Sequence, residues 1–239
     1  MKLDILAFGA HPDDIELSCA GLLMKEHSLG KNVGIIDLTE GELGTRGSVI
    51  TRYEESKKAT EILGLNIREN LNLGDGRLEN TWHNQLKVIE IIRKYKPEIV
   101  ISNAIKDRHP DHGKGADLLR DALFYSGLAK IETYHNEIKQ NPWRPKAHYH
   151  YIQDQYIEPD FVVDVTEFWD KKIDSIKAYK TQFFDPNSQE PKTYISNPEF
   201  LEFLVGRALE MGHKIGVKYG EGFTTEKKIG VNSIFDIKF

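Results

Sequence analysis

Two short stretches concentrate the residues that could do chemistry. Gly9–Leu17 reads GAHPDDIEL and Ile105–Gly115 reads IKDRHPDHGKG. Each holds a His-Pro-Asp triplet, His11-Pro12-Asp13 in the first and His109-Pro110-Asp111 in the second. The first adds Asp14 and the second adds His112. Asp13 and Asp14 are adjacent carboxylates that repel one another, and a divalent cation would relieve the repulsion. Two imidazoles and one carboxylate around an open position make up the donor set of a catalytic zinc site. The open position would hold a water whose pKa falls to roughly 7. One carboxylate can bind the metal while the other stays free as a general base. A plainer reading exists for each residue. Either aspartate could cap a helix starting at Ile15, and His109 and His112 could flank an ordinary polar turn. The recurrence of the triplet favours the metal.

The surrounding pattern supplies the elements that must position these residues. Apolar runs at Leu3–Phe8, Val33–Leu38, Ile67–Leu73 and Ile99–Ser102 read as strands. Helical spacing is found at Ile15–Glu26, Arg52–Leu63, Asn84–Tyr95 and Gly115–Phe124, with Gly30, Gly64 and Pro97 as stops. This alternation implies an α/β fold with a doubly wound, mainly parallel, Rossmann-like sheet. In the common 3-2-1-4 order, strands 1 and 4 are neighbours at the topological switch point, so the two polar loops should meet. The second half is less regular. It offers strands at Ala147–Gln153 and Phe161–Val165 and helices at Glu167–Gln182 and Pro198–Met211. One domain over 1–239 is expected, with a regular core at 1–126 and an elaborated part at 127–239.

Composition narrows the function. The 239 residues carry 32 Lys+Arg against 37 Asp+Glu, a formal charge of -5, with no basic block of the nucleic-acid-binding kind. The single cysteine, Cys19, allows no intrachain disulfide and suits a reducing compartment. The N-terminal apolar run is too short to span a membrane. A cytoplasmic protein that acts on a small molecule, with no nucleic-acid or membrane partner, is the expectation. No G-x-G-x-x-G follows the first strand, so a dinucleotide site is not indicated. His148 and His150 would share one face of a strand, but no third ligand lies near them in sequence.

AHPDDIE at 10–16 together with HPDH at 109–112 resembles the LmbE-like, or PIG-L-like, zinc-dependent N-acetylglucosamine deacetylases. GELGTRG at 41–47, the pattern from Arg52 to Gly64 and YGEGF at 219–223 extend the resemblance over nearly the whole chain. KTYISNPEFLE from Lys192 to Glu202 is similar to the deacetylases of bacillithiol biosynthesis, which act on N-acetylglucosaminyl malate. The resemblance implies that His11, Asp14 and His112 bind Zn2+ and that Asp13 is the general base. It implies that His109 stabilises the oxyanion or acts as an acid, oriented and charged by Asp111. It also implies that Arg52 contacts substrate, that Tyr194 is mobile over the site, and that the chain is a homo-oligomer, possibly a hexamer. A malate aglycone needs local positive charge, for which Arg46, Arg52 and Lys192 are the candidates. Whether Asp13 or His109 protonates the departing amine stays open at this stage. Other readings are a deacetylase of a different N-acetylglucosamine substrate, such as a chitooligosaccharide, and a non-catalytic metal- or sugar-binding module.

Overall fold

The computed structural model describes residues 1–65 and 67–237; the last two residues of the expected domain lie outside this set. In chain order the elements are β1 (Ile5–Gly9), α1 (Asp14–Ser18), α2 (Ala20–Ser28), β2 (Val33–Asp37), α3 (Val49–Leu63), β3 (Ile67–Asn70), α4 (Trp82–Tyr95), β4 (Ile99–Ser102) and α5 (Pro110–Ser126). Then come β5 (Tyr134–His135), β6 (Ile138–Lys139), β7 (Ala147–Tyr151), β8 (Phe161–Asp164), α6 (Trp169–Lys177), α7 (Pro198–Lys214) and β9 (Gly220–Thr224).

Seven strands form one sheet in the order β3-β2-β1-β4-β7-β9-β8. The strands from β3 through β7 are parallel, and β9 runs antiparallel to β7 and β8. The expected doubly wound α/β fold is therefore present, with an antiparallel extension. Alternation along β1 explains its unbroken apolar run. Leu6 and Phe8 pack on one side with residues of α4 and α5, while Ile5 and Ala7 pack on the other with residues of α1 and α2. A strand buried on both faces has no polar face to show. Among the described residues, no helix is long and apolar enough to cross a membrane.

Several elements differ from the sequence expectation; α6, for one, ends at Lys177 and not at Gln182, and three further differences have a physical reason. The helix expected over Ile15–Glu26 is broken at Cys19 into α1 and α2. The break has a partner: Glu221 of β9 accepts the Gly21 and Leu22 N–H groups at 2.9 and 2.7 Å and pairs with Lys172 Nζ at 2.6 Å. This carboxylate satisfies donors that a helix N-terminus leaves free. Helix α5 begins at Pro110, five residues before the expected start, because His109 caps it: its Nδ1 accepts the Asp111 N–H at 3.2 Å. Strand β9 is not among the expected elements. Its sequence, GEGFT, lacks a β-branched run. The glycines answer to packing: a Cβ on Gly220 would meet Val162 Cγ1 at 2.6 Å and the Gly212 nitrogen at 2.8 Å.

Candidate active site

β1 pairs with β4 in parallel, Ile5 opposite Ile99 through Ala7 opposite Ile101. The loops that leave both strands therefore emerge at the same carboxyl edge. They bring His11, Asp13 and Asp14 against His109, Asp111 and His112, and all of these but Asp111 line a cavity of about 410 Å³. Arg52, Arg108 and Tyr194 also line it.

The adjacent aspartates diverge because the backbone between strand and helix is held in an unusual shape. Asp13 has φ 119°, a region that side chains other than glycine rarely enter. Such conformations persist where the surroundings over-determine them. Here Arg52 Nη1 accounts for much of that, donating to the Pro12 carbonyl at 2.9 Å and lying 3.4 Å from Asp13 Oδ2. Burial raises the Asp13 carboxyl to about 7, with Arg52 opposing the rise and Asp14 adding to it. A carboxylate that titrates near neutrality can both take and return a proton.

Asp14 faces the other way. Its Oδ1 lies 3.1 Å from His112 Nε2, and its Oδ2 lies 3.7 Å from His11 Nδ1. Burial disfavours its charge, yet His112 and His11 hold its carboxyl well below the usual range. Two buried amides hold its orientation: Asn103 Nδ2 donates to Oδ2 at 2.9 Å and Gln153 Nε2 to Oδ1 at 3.0 Å. The Gln153 amide cannot turn freely, because its Oε1 accepts from Asn103 Nδ2 and the Ala104 N–H.

The remaining ring nitrogens of the two histidines are also committed. His11 Nε2 is 3.0 Å from Asp75 Oδ1, and His112 Nδ1 is 2.6 Å from Asp107 Oδ2. Each imidazole thus turns one nitrogen toward Asp14 and the other toward an outer carboxylate. That is the arrangement in which metal-bound histidines are typically fixed in tautomer and direction. The donor set His11, Asp14 and His112 therefore fits a divalent ion that prefers nitrogen and oxygen ligands. Among the described residues, the groupings whose donor atoms all lie within 4.8 Å of one another are His11, His109 and His112, and His11, Asp75 and Asp111; Asp14 belongs to neither. The carboxylates gathered here call for positive charge. Burial works against charge on His112, but Asp14 and Asp107 lift its pKa to about 9.

Several expectations about the site need correction. Asp111 does not hold His109 through its carboxylate. Asp111 Oδ2 accepts the Gly76 N–H at 2.7 Å and lies 3.5 Å from His11 Nε2. Its link to His109 is the backbone N–H that caps α5. The charge of Asp111 does favour a cationic His109, but burial, then the neighbouring His11 and His112, outweigh it and lower the His109 pKa. With Nδ1 accepting, the proton of a neutral His109 ring sits on Nε2. Arg46 is buried away from the cavity, donating to the Phe183 carbonyl and to Ser188 Oγ. Lys192 is exposed and does not line the cavity. Tyr194 lines it, with its hydroxyl donating to Asp154 Oδ1 at 3.0 Å.

The charged residue at the mouth that sequence reasoning passed over is Arg108. It lies 4.3 Å over the Tyr194 ring and 3.3 Å from Asp154 Oδ2. Asp75, Asp107, Asn103 and Gln153 were also missed. Asp107 and Arg108 stand within the quoted IKDRHPDHGKG, and Asp75 sits between two glycines in the loop after β3, at the same sheet edge.

Residues Leu6–Leu123 match the PIG-L family, described as GlcNAc-PI de-N-acetylase. A conserved protein of Thermus thermophilus, TT1542, has the same fold: its crystal structure superposes with a TM-score of 0.85 at 31% identity, covering 96% of this chain and 98% of that one. The diacetylchitobiose deacetylase of Thermococcus kodakarensis is 26% identical over 228 residues, 91% of this chain and 81% of the relative. A probable N-acetyl-alpha-D-glucosaminyl L-malate deacetylase 2 of Bacillus subtilis is 28% identical over 198 residues, 76% of this chain and 84% of the relative. The two motifs meet where the fold requires, and by this likeness the chain belongs to the PIG-L, or LmbE-like, de-N-acetylase family.

Proposed function

We propose that this chain is a zinc-dependent amidohydrolase that removes the acetyl group from an N-acetylglucosamine conjugate, and that the conjugate is N-acetylglucosaminyl malate of bacillithiol biosynthesis. The observation that carries the reaction class is the division between Asp13 and Asp14. One carboxylate faces two imidazoles; its neighbour stays free of them, buried, with a pKa of about 7.

Amide hydrolysis needs an activated nucleophile, a stabilised oxyanion and a protonated leaving nitrogen. A zinc ion held by His11, Asp14 and His112 would supply Lewis acidity toward the carbonyl and the attacking water. Asp13 is the acceptor for the water proton, since its carboxylate is not turned to the imidazoles. His109 offers an Nε2–H to the carbonyl oxygen as negative charge develops there. Arg52 binds the Pro12 carbonyl and flanks Asp13, so it keeps the base in place as well as lining the cavity.

The malate assignment draws on charge. Arg52 and Arg108 both line the cavity, and guanidinium groups bind carboxylates through paired hydrogen bonds. The similarity to the probable malate deacetylase of Bacillus subtilis agrees with it. A neutral substrate of the diacetylchitobiose kind is the second reading, favoured by the longer match to the Thermococcus deacetylase. The test is release of primary amine from N-acetylglucosaminyl malate and from diacetylchitobiose, before and after chelation and zinc restoration. Zinc-restored release from the malate conjugate, faster than from chitobiose, supports the full reading. Release from chitobiose alone keeps the deacetylase and removes the malate. No release from either, by folded and zinc-loaded protein, removes both.

A further inference from the structure

A second cavity, about 470 Å³, lies away from the catalytic loops, beside the start of β7. Arg120, Arg144, Lys146, Lys227 and Lys228 line it, against one carboxylate, Glu226. This concentration of positive charge stands out on a chain with a formal charge of -5. Arg120 is paired with Asp117 and Lys146 with Glu98. Lys227 and Lys228 have no acidic partner among the described residues. Arg144 has none among them either. It donates to the Phe124 carbonyl, lies 5.0 Å over the Phe124 ring, and sits where a Cβ on Gly127 would meet its Nε at 2.5 Å. Leu123, Phe124 and Ile229 give the same cavity an apolar wall.

The wall also includes His148. Its Nε2 is 2.8 Å from Ser102 Oγ, which leaves Nδ1 as its available nitrogen. Ser102 Oγ is 3.3 Å from His150 Nδ1, and that nitrogen donates to the Asn103 carbonyl at 2.8 Å. His150 Nε2 is buried without a partner. Asn103 in turn donates to Asp14 Oδ2. A row of hydrogen bonds therefore leads from this cavity to the carboxylate that faces the catalytic imidazoles. An anion accepting from His148 Nδ1 leaves Nε2 as an acceptor and fixes Ser102 as its donor. Ser102 Oγ then competes with the Asn103 carbonyl for the His150 Nδ1–H.

We propose that this second cavity binds a small polyanion with an apolar portion, and that its occupancy is felt at Asp14. Charge seats the anion on Lys227, Lys228 and Arg144, and Leu123, Phe124 and Ile229 receive its apolar part. His148 and His150, which have no place in the catalytic reading, then have one.

The experiment uses the full chain, with citrate and ADP as separate probes in calorimetry at fixed ionic strength, which separates site binding from general screening. Saturable binding of at least one probe is expected. The Lys227→Glu/Lys228→Glu double variant should weaken it ten-fold or more, while amide hydrolysis without the probe stays at the wild-type rate. Zinc affinity, measured by chelator competition beside the double variant at the same probe concentration so that the probe's own zinc binding cancels, should change by about five-fold or more in the wild type alone when the probe saturates. This last readout rests on the metal reading above, whereas the calorimetry does not. No saturable binding of either probe overturns the proposal, as does binding that the charge reversal leaves intact. Binding with unchanged zinc affinity overturns the link to Asp14. If the double variant changes the sedimentation coefficient and neither probe binds, the face is a contact between copies of this chain and the proposal fails.

Discussion

Asp13 and Asp14 are consecutive, yet their carboxylates serve different partners: Asp13 Oδ2 lies 3.4 Å from Arg52 Nη1, while Asp14 Oδ1 lies 3.1 Å from His112 Nε2. The positive φ of Asp13 produces the divergence, and Arg52 helps to hold it. The proposed roles of metal ligand for Asp14 and proton acceptor for Asp13 can therefore be tested separately by substitution. Asp13→Asn should keep zinc binding within a few-fold of wild type and lower kcat by about two orders of magnitude or more, the usual span of general-base loss. Metal content by elemental analysis, beside single-turnover rates, checks both halves. Full kcat in the variant would remove Asp13 from the chemistry.

The outer carboxylates should tune the metal through the imidazoles they hold. Asp107 holds His112 Nδ1 at 2.6 Å and Asp75 holds His11 Nε2 at 3.0 Å. Loss of such partners commonly costs 10–100-fold in metal affinity. Asp107→Asn and Asp75→Asn should each weaken zinc by roughly that range in chelator competition. His109→Gln should not, if His11, Asp14 and His112 are the ligands. A large loss of zinc in His109→Gln would favour the three-histidine set.

Arg108 separates the two substrate readings. It lines the cavity beside Tyr194 and Asp154. A hydrogen bond to a charged group is worth about 1.5–3 kcal/mol. Arg108→Ala should therefore raise KM for N-acetylglucosaminyl malate by about ten-fold or more, with kcat nearly unchanged. Hydrolysis of a neutral acetyl-sugar should be little affected. Equal losses on charged and neutral substrates would mean that Arg108 acts through the position of Tyr194 and not on the aglycone.

Acid should expose the buried imidazole pair. Burial, then His150 and Arg120, hold His148 well below its ordinary pKa. The unfolded chain binds the proton near pH 6.5, whereas the folded chain does not. In that window the unfolded state carries more protons, so stability falls as pH drops below about 6.5. The contribution is fully present above that pH. His11 and His112 have raised pKa values and act in the opposite sense, so wild type alone does not isolate the effect. The comparison with His148→Gln does: urea midpoints from pH 6.5 to 5 should fall less steeply in the variant. Equal slopes would show that His148 keeps its proton equilibrium on folding.

The legibility of the molecule in its sequence follows from what each feature depends on. The parallel core was readable because strands buried on both faces leave continuous apolar runs, such as Leu3–Phe8. The meeting of the two His-Pro-Asp loops followed from the fold, since loops after neighbouring parallel strands share an edge. The orienting role that the resemblance implied for the Asp111 carboxylate is not what the structure shows, because Gly76, from another loop, claims it. Arg46 went astray because a Gly-rich loop places a long side chain in either of two directions, and here Ser188 and the Phe183 carbonyl receive it. Gln153 and Glu221 act across the sheet through β7 and β9, and pairing of that range leaves no local periodicity.

Glu16 closes the first motif, and its role is structural. It is fully buried; its Oε1 accepts from Arg68 Nη1 at 2.6 Å and from the Tyr179 hydroxyl at 3.1 Å. Arg68 reaches Asp37 with two further bonds, Nε to Oδ2 at 2.7 Å and Nη2 to Oδ1 at 2.9 Å. This guanidinium therefore ties α1, which begins at Asp14, to β2 from its place on β3. Removal of one member of a buried ionic cluster leaves the others charged without compensation, at a cost of about 3–5 kcal/mol. Arg68→Met should lose stability of about that size in denaturant unfolding. The triple replacement Arg68→Met/Glu16→Gln/Asp37→Asn, which removes the stranded charges as well, should recover a large part of the loss. A single variant as stable as wild type would show that the network is not what holds the first loop in register.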